Sequence, residues 1–172
     1  HMEAVGYDLY LKLLGEAISE EKGEPVKKTA ECLVDVQIEA HIPENYIADR
    51  SQRIDIYKKI ASVYTQEDYL DTMDELIDRF GEPPAAVVGL LEIALLRNGA
   101  AQLGIKEISQ RGINLLFFTQ GPPEMERIVA LTQAMKGRVM VSGGAKPYFT
   151  VRPKKGQKPV EVIQEVVRAL GQ

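Results

Sequence analysis

The stretch Thr65 to Gly81, T-Q-E-D-Y-L-D-T-M-D-E-L-I-D-R-F-G, constrains this chain more than any other. Set out at about 100° per residue, its side chains separate into two arcs. Tyr69, Leu70, Met73, Leu76, Ile77 and Phe80 form one arc. Glu67, Asp68, Asp71, Asp74, Glu75 and Asp78 form the other, and Arg79 is the single base. Thr65 as N-cap and acids in the first turn suit the positive end of the helix dipole. Asp74, Glu75 and Asp78 lie too far along to gain from it. Acids at i, i+3 and i+4 repel by roughly 0.2–0.5 kcal/mol per exposed pair. The apolar arc therefore predicts a core contact. The acidic arc is either a solvated face or, being more one-sided than solubility requires, the mark of a partner.

The rest of the chain reads as helices first and short strands later. Leu9, Tyr10, Leu13, Leu14, Ala17 and Ile18 give a helical stripe over 5–21. Gly23 and Pro25 among charges then predict a linker over 23–31, so that residues 1–22 precede a domain spanning 32–172. Val34, Val36, Ile38 and Ala40 alternate with Asp35, Gln37 and Glu39, which predicts a half-buried strand over 32–40. Asp49 followed by Gln52 reads as a capping box opening a helix to Tyr64. Ile54, Tyr57, Ile60, Ala61 and Tyr64 are its expected stripe, and Arg50, Arg53, Lys58 and Lys59 its basic face. After the acidic helix, Pro83-Pro84 opens an apolar helix running to Leu103, closed by Gly104.

Beyond Gly104 two hairpins are expected, each followed by a helix. Ile105–Ser109 and Ile113–Phe118 flank a turn at Arg111-Gly112, with a helix from Pro122-Pro123 to Ala134 or Met135. Arg138–Val141 and Tyr148–Arg152 flank Ser142-Gly143-Gly144-Ala145, with a last helix over Pro159 to Leu170. Helices and strands in separate blocks predict an α+β fold: helix, strand, three helices, then the two hairpin–helix units.

Charge is divided along the chain. Residues 1–99 hold 10 Lys and Arg against 20 Asp and Glu, whereas residues 100–172 hold 11 against 5. Such asymmetry bears on partners, or on attraction between the two halves, rather than on fold. At 45% hydrophobic and 27% charged, the composition is that of a globular chain. No apolar run approaches the roughly 20 residues of a spanning helix, so no membrane role is expected. The single Cys32 excludes an internal disulfide and fits a reducing, cytoplasmic setting. His1-Met2 reads as a cloning scar, so the true N-terminus is expected upstream.

Catalytic chemistry finds little support. Neither G-x-x-x-x-G-K-[ST] nor G-x-G-x-x-G occurs, so the phosphate-cradling loops are missing. His41 and Cys32 stand nine residues apart and match no local metal or Cys–His spacing. Gly143-Gly144 reads as a turn. The expectation is no catalytic residue, no metal and no cofactor. Lys146, Arg152, Lys154, Lys155 and Lys158, with Tyr148 and Phe149 between them, leave nucleic-acid binding as an alternative.

Four ordered motifs carry a family likeness: G-Y-D-L-Y-L-K-L-L at 6–14, I-P-E-N-Y-I at 42–47, R-I-D-I-Y-K-K-I-A at 53–61 and E-L-I-D-R-F-G at 75–81. With L-L-x-I-A-x-L-R at 90–97, they resemble the C-terminal end of bacterial transcription-repair coupling factor, and the likeness thins after Ile108. That resemblance implies a parent protein that is an ATP-driven translocase on double-stranded DNA, its motor upstream. The parent displaces stalled RNA polymerase and recruits the excision-repair protein UvrA. The C-terminal domain is implied to be a non-enzymatic regulatory clamp on a UvrB-like N-terminal module, masking the surface UvrA needs. By position, the resemblance places Glu75 and Asp78 opposite arginines of that module, with Leu76 and Arg79 beside them; Asp71 and Asp74 extend the patch. The 6–14 helix is implied to relay from the motor.

Overall fold

The computed structural model describes residues 31–171. The helix expected over 5–21, and the expected linker up to residue 30, lie outside the described residues. Helices α1 (Arg50–Ala61), α2 (Gln66–Phe80), α3 (Ala85–Gln102), α4 (Met125–Ala134) and α5 (Pro159–Leu170) accompany strands β1 (Leu33–Asp35), β2 (Ile105–Arg111), β3 (Asn114–Thr119), β4 (Val139–Ser142) and β5 (Tyr148–Val151). The fold is α+β, as the block pattern predicts. The described residues divide into two compact units, one over 38–95 and one over 31–37 and 96–171.

The first unit is built on α1, α2 and the first part of α3. Its core holds Ile42, Ile47, Ile56, Ile60, Val63, Leu76, Val87, Leu90 and Leu91. In α1 the buried positions are Ile56, Ile60 and Ala61, while Ile54 is half-buried and Tyr64, past the helix end, is exposed. The expected stripe is thus displaced onto Ile56. Asp49 caps α1 by accepting the Ser51 N–H at 2.9 Å, an Asx-type cap rather than a box. The segment entering α1 is held by side chains. The Ile42 N–H donates to the Tyr57 hydroxyl at 2.9 Å, and the Arg53 guanidinium donates to the Ile47 and Ala48 carbonyls at 2.8 Å. These bonds satisfy backbone groups that lie outside any helix or ladder.

The second unit carries a mixed five-stranded sheet in the order β1-β2-β3-β5-β4. Only the β1–β2 pair is parallel. β2 and β3 turn at Gly112-Ile113, one residue later than expected. β5 leaves its hairpin partner β4 at the edge and pairs with β3 on its other side. The strand expected over 32–40 shortens to β1, although its alternation survives as buried Cys32, Val34 and Val36. The ladder ends because the Gln37 N–H donates to the Gln110 side chain, at 3.1 Å, instead of a neighbouring strand. Phe117 and Phe149, cross-strand neighbours, stack at 4.9 Å within the core. A half-buried polar hub closes this unit: Arg138 donates to the Arg152 carbonyl, to Gln157 and to Glu165 of α5. Burial works against the Glu165 charge, but the hydrogen bonds from Gln157 and Arg138 prevail and hold its carboxyl below the usual range.

Candidate protein-interaction face

Helix α2 is fixed at both ends. Thr65 Oγ1 accepts the Asp68 N–H at 3.1 Å, and the Asp68 carboxylate accepts the N–H groups of Thr65 and Tyr64 at 3.1 and 3.0 Å. The bond from Tyr64 is the largest influence lowering the Asp68 pKa. At the other end Gly81, with φ +85°, stops the helix, and the Tyr46 hydroxyl donates to its carbonyl at 2.8 Å. The Tyr46 ring stands 6.0 Å from that of Phe80, and burial pushes the Tyr46 phenol pKa up. A helix held this way presents its outer face with little freedom to rearrange.

The buried arc differs from the one its periodicity predicts. Leu76 and Thr72 are interior, with Tyr69, Met73 and Phe80 partly buried against the core. Leu70 and Ile77, expected inside, are 53% and 43% exposed. Thr72 can take an interior place because its hydroxyl donates to the Asp68 carbonyl at 2.8 Å, satisfying itself within the helix. The helix is therefore turned so that two apolar residues border the acids.

The six residues singled out by sequence do not form one patch. Asp71, Asp74 and Asp78 are exposed and make no ion pair among the described residues. Glu75 is half-buried and pairs with Lys59 of α1 and, at 3.6 Å, with Arg79. Its Oε2 is cut off from solvent and has no hydrogen-bond partner among the described residues, where the Arg79 charge is what compensates it. Arg79 also lies over the Phe80 ring, 4.8 Å from its centre. Leu76 is fully buried, which corrects its assignment as a contact residue: it belongs to the core. Leu70 and Ile77 were missed as surface residues; the signal was Thr72, a residue able to satisfy its own hydroxyl inside.

Elsewhere the chemistry is sparse. Among the described residues no group of three or more His, Cys, Asp and Glu side chains could hold a metal. No described helix is long and apolar enough to cross a membrane. Lys146, Arg152, Lys154, Lys155 and Lys158 are exposed in and around the loops of the second unit. Of the two aromatics between them, Phe149 is stacked in the core and only Tyr148 lies on the sheet's other face, beside Phe118.

The TRCF domain family model matches residues 36–128, more than half of the chain. This chain belongs to the TRCF domain family. The transcription-repair-coupling factor of Staphylococcus aureus (strain USA300) is 32% identical over 175 residues, covering 98% of this chain and 15% of that protein. That of Bacillus subtilis (strain 168) is 43% identical over 110 residues, 63% of this chain and 9% of that protein. A crystal structure of the C-terminal domain of transcription-repair coupling factor superposes with a TM-score of 0.74 at 22% identity, covering 85% of this chain and 95% of that one. It shares the TRCF C-terminal fold. The chain spans 15% or less of these curated relatives, so it corresponds to a small part of them.

Proposed function

We propose that this chain is the autoinhibitory domain of a transcription-coupled DNA repair translocase. It docks through the outer face of α2 on the UvrB-like module of the same protein and masks the surface that UvrA needs. The observation that carries this reading is that Asp71, Asp74 and Asp78 stand exposed on one capped helix, with no cation of their own among the described residues. A partner presenting arginines would complete them. Membership of the TRCF domain family supplies the context of repair and transcription. In this reading the domain is non-enzymatic and cytoplasmic, and it binds no cofactor. The motor that contacts DNA and RNA polymerase lies elsewhere in the parent protein.

The mechanism is electrostatic and reversible. Exposed ion pairs contribute about 0.2–1 kcal/mol each, so several hold the clamp while leaving it open to displacement by the motor. By linkage, UvrA binding must then favour the released form. Glu75 enters docking only by exchanging or sharing Lys59 and Arg79, so Asp74 and Asp78 are the better probes. Asp74→Lys with Asp78→Lys in the full-length parent should leave the fold intact and raise UvrA binding, measured by titration calorimetry. Unchanged UvrA binding would make the acidic arc a solvated face.

A further inference from the structure

We propose that the docking face has an apolar centre, formed by Leu70 and Ile77 with the edge of Met73, and that its occupant is an apolar groove rimmed by arginine or lysine side chains. The proposal rests on the docking role argued above and names what the partner must present there. Leu70, Met73 and Ile77 stand at i, i+3 and i+7, the spacing by which an amphipathic helix enters a groove. Leu70 and Ile77 are 53% and 43% exposed and lie two turns, about 10.5 Å, apart on one ridge. Scattered exposed apolar residues are ordinary. These two are not scattered, because Asp74 lies between them and Asp71 and Asp78 flank the same side.

The orientation of α2 is the second observation. The helix is seated with Thr72 buried at 5% exposure while Leu70 and Ile77 are left outside. Apolar burial alone favours the opposite rotation, which would bring both inward in exchange for a hydroxyl. Charge complementarity selects the occupant. Acids on one flank of an apolar ridge match a groove whose rim carries cations, and interface energy concentrates at such desolvated centres rather than on the rim. The Thr65–Asp68 cap and the Tyr46–Gly81 bond hold the ridge in place beforehand, which limits the ordering cost of docking.

Calorimetric titration of this chain onto the UvrB-like module, at low and moderate salt, tests the proposal. Leu70→Ser with Ile77→Ser should weaken binding more than tenfold while leaving its salt dependence in place. Ile77→Leu should retain affinity. Asp74→Asn with Asp78→Asn should give a smaller loss and a flatter salt dependence. Both serine substitutions lie at exposed positions, and a matching melting transition establishes that the variant is folded. If the unaltered chain binds and the serine variant binds equally well, the apolar centre is overturned while the docking role stands. If the unaltered chain does not bind the module at all, the docking role itself falls, and this inference with it.

Discussion

Lys59, in the last turn of α1, and Glu75, in the middle of α2, form an ion pair that joins two helices of the first unit. Arg79, one turn on from Glu75, adds a second cation at 3.6 Å. Glu75 is thus an internal counter-ion, unlike Asp78, which has no such partner among the described residues. Replacing Glu75 by lysine would set three cations together. Glu75→Lys should therefore lower stability by about 1 kcal/mol, and Asp78→Lys should stay within about 0.5 kcal/mol of the unaltered chain. Urea titrations of the two single variants check this, and equal midpoints would mean that the Lys59 pair contributes nothing. Charge reversal at Glu75 is accordingly a poor probe of docking, because it alters the fold as well as the surface.

Gly89 of α3 lies against the chain that precedes α1. A Cβ built there would stand 2.9 Å from the Glu39 carbonyl oxygen, a backbone atom that cannot swing away. At Gly99 of the same helix the nearest atom is Val167 Cγ1, at 3.4 Å, the tip of a side chain. Alanine is the better helix former at both sites by about 1 kcal/mol, so propensity alone predicts the same gain twice. Contact separates them. Gly89→Ala should destabilise by about 1–3 kcal/mol, whereas Gly99→Ala should be neutral or stabilising. Thermal melts of the two variants decide it, and two equal gains would remove the close approach at Glu39.

The parts of this fold legible in the sequence are those whose causes are local. The Thr65 cap, the Gly81 stop and the apolar run of Pro159–Leu170 set helix ends within the helices themselves, and α2 and α5 begin and end where the residues say. The sheet order was not legible. Nothing local tells β5 to pair with β3 on its far side, or β1 to add in parallel beside β2. The same division runs through the candidate face. Its acids could be counted from their spacing, but which were engaged could not, because Lys59 reaches Glu75 across 16 positions of chain. The rotation of α2 escaped for a related reason: periodicity treats threonine as polar, whereas Thr72 removes its own polarity by bonding back to the Asp68 carbonyl.

Asp68 ties the orientation of that face to pH. The Tyr64 N–H, followed by the Thr65 N–H and hydroxyl, holds its carboxyl below the ordinary value of 3.8, against an opposing push from burial. The folded pKa lies below the unfolded one, so the charged form stabilises the native state. That contribution is fully present above about pH 4 and is lost as pH falls through the folded pKa. Near neutrality the cap should be insensitive to pH. Asp68→Asn should flatten part of the fall in stability below pH 4, whereas Thr65→Ala should lower stability by about 1 kcal/mol at every pH above it. Denaturant midpoints between pH 3 and pH 6 measure both effects. An acid limb as steep in Asp68→Asn as in the unaltered chain would show that Asp68 gains nothing from the cap, and that other carboxylates carry the acid sensitivity. If the face on α2 docks as proposed, weakening the cap at either residue should also weaken docking, since Leu70 and Asp71 lie within a turn of Asp68.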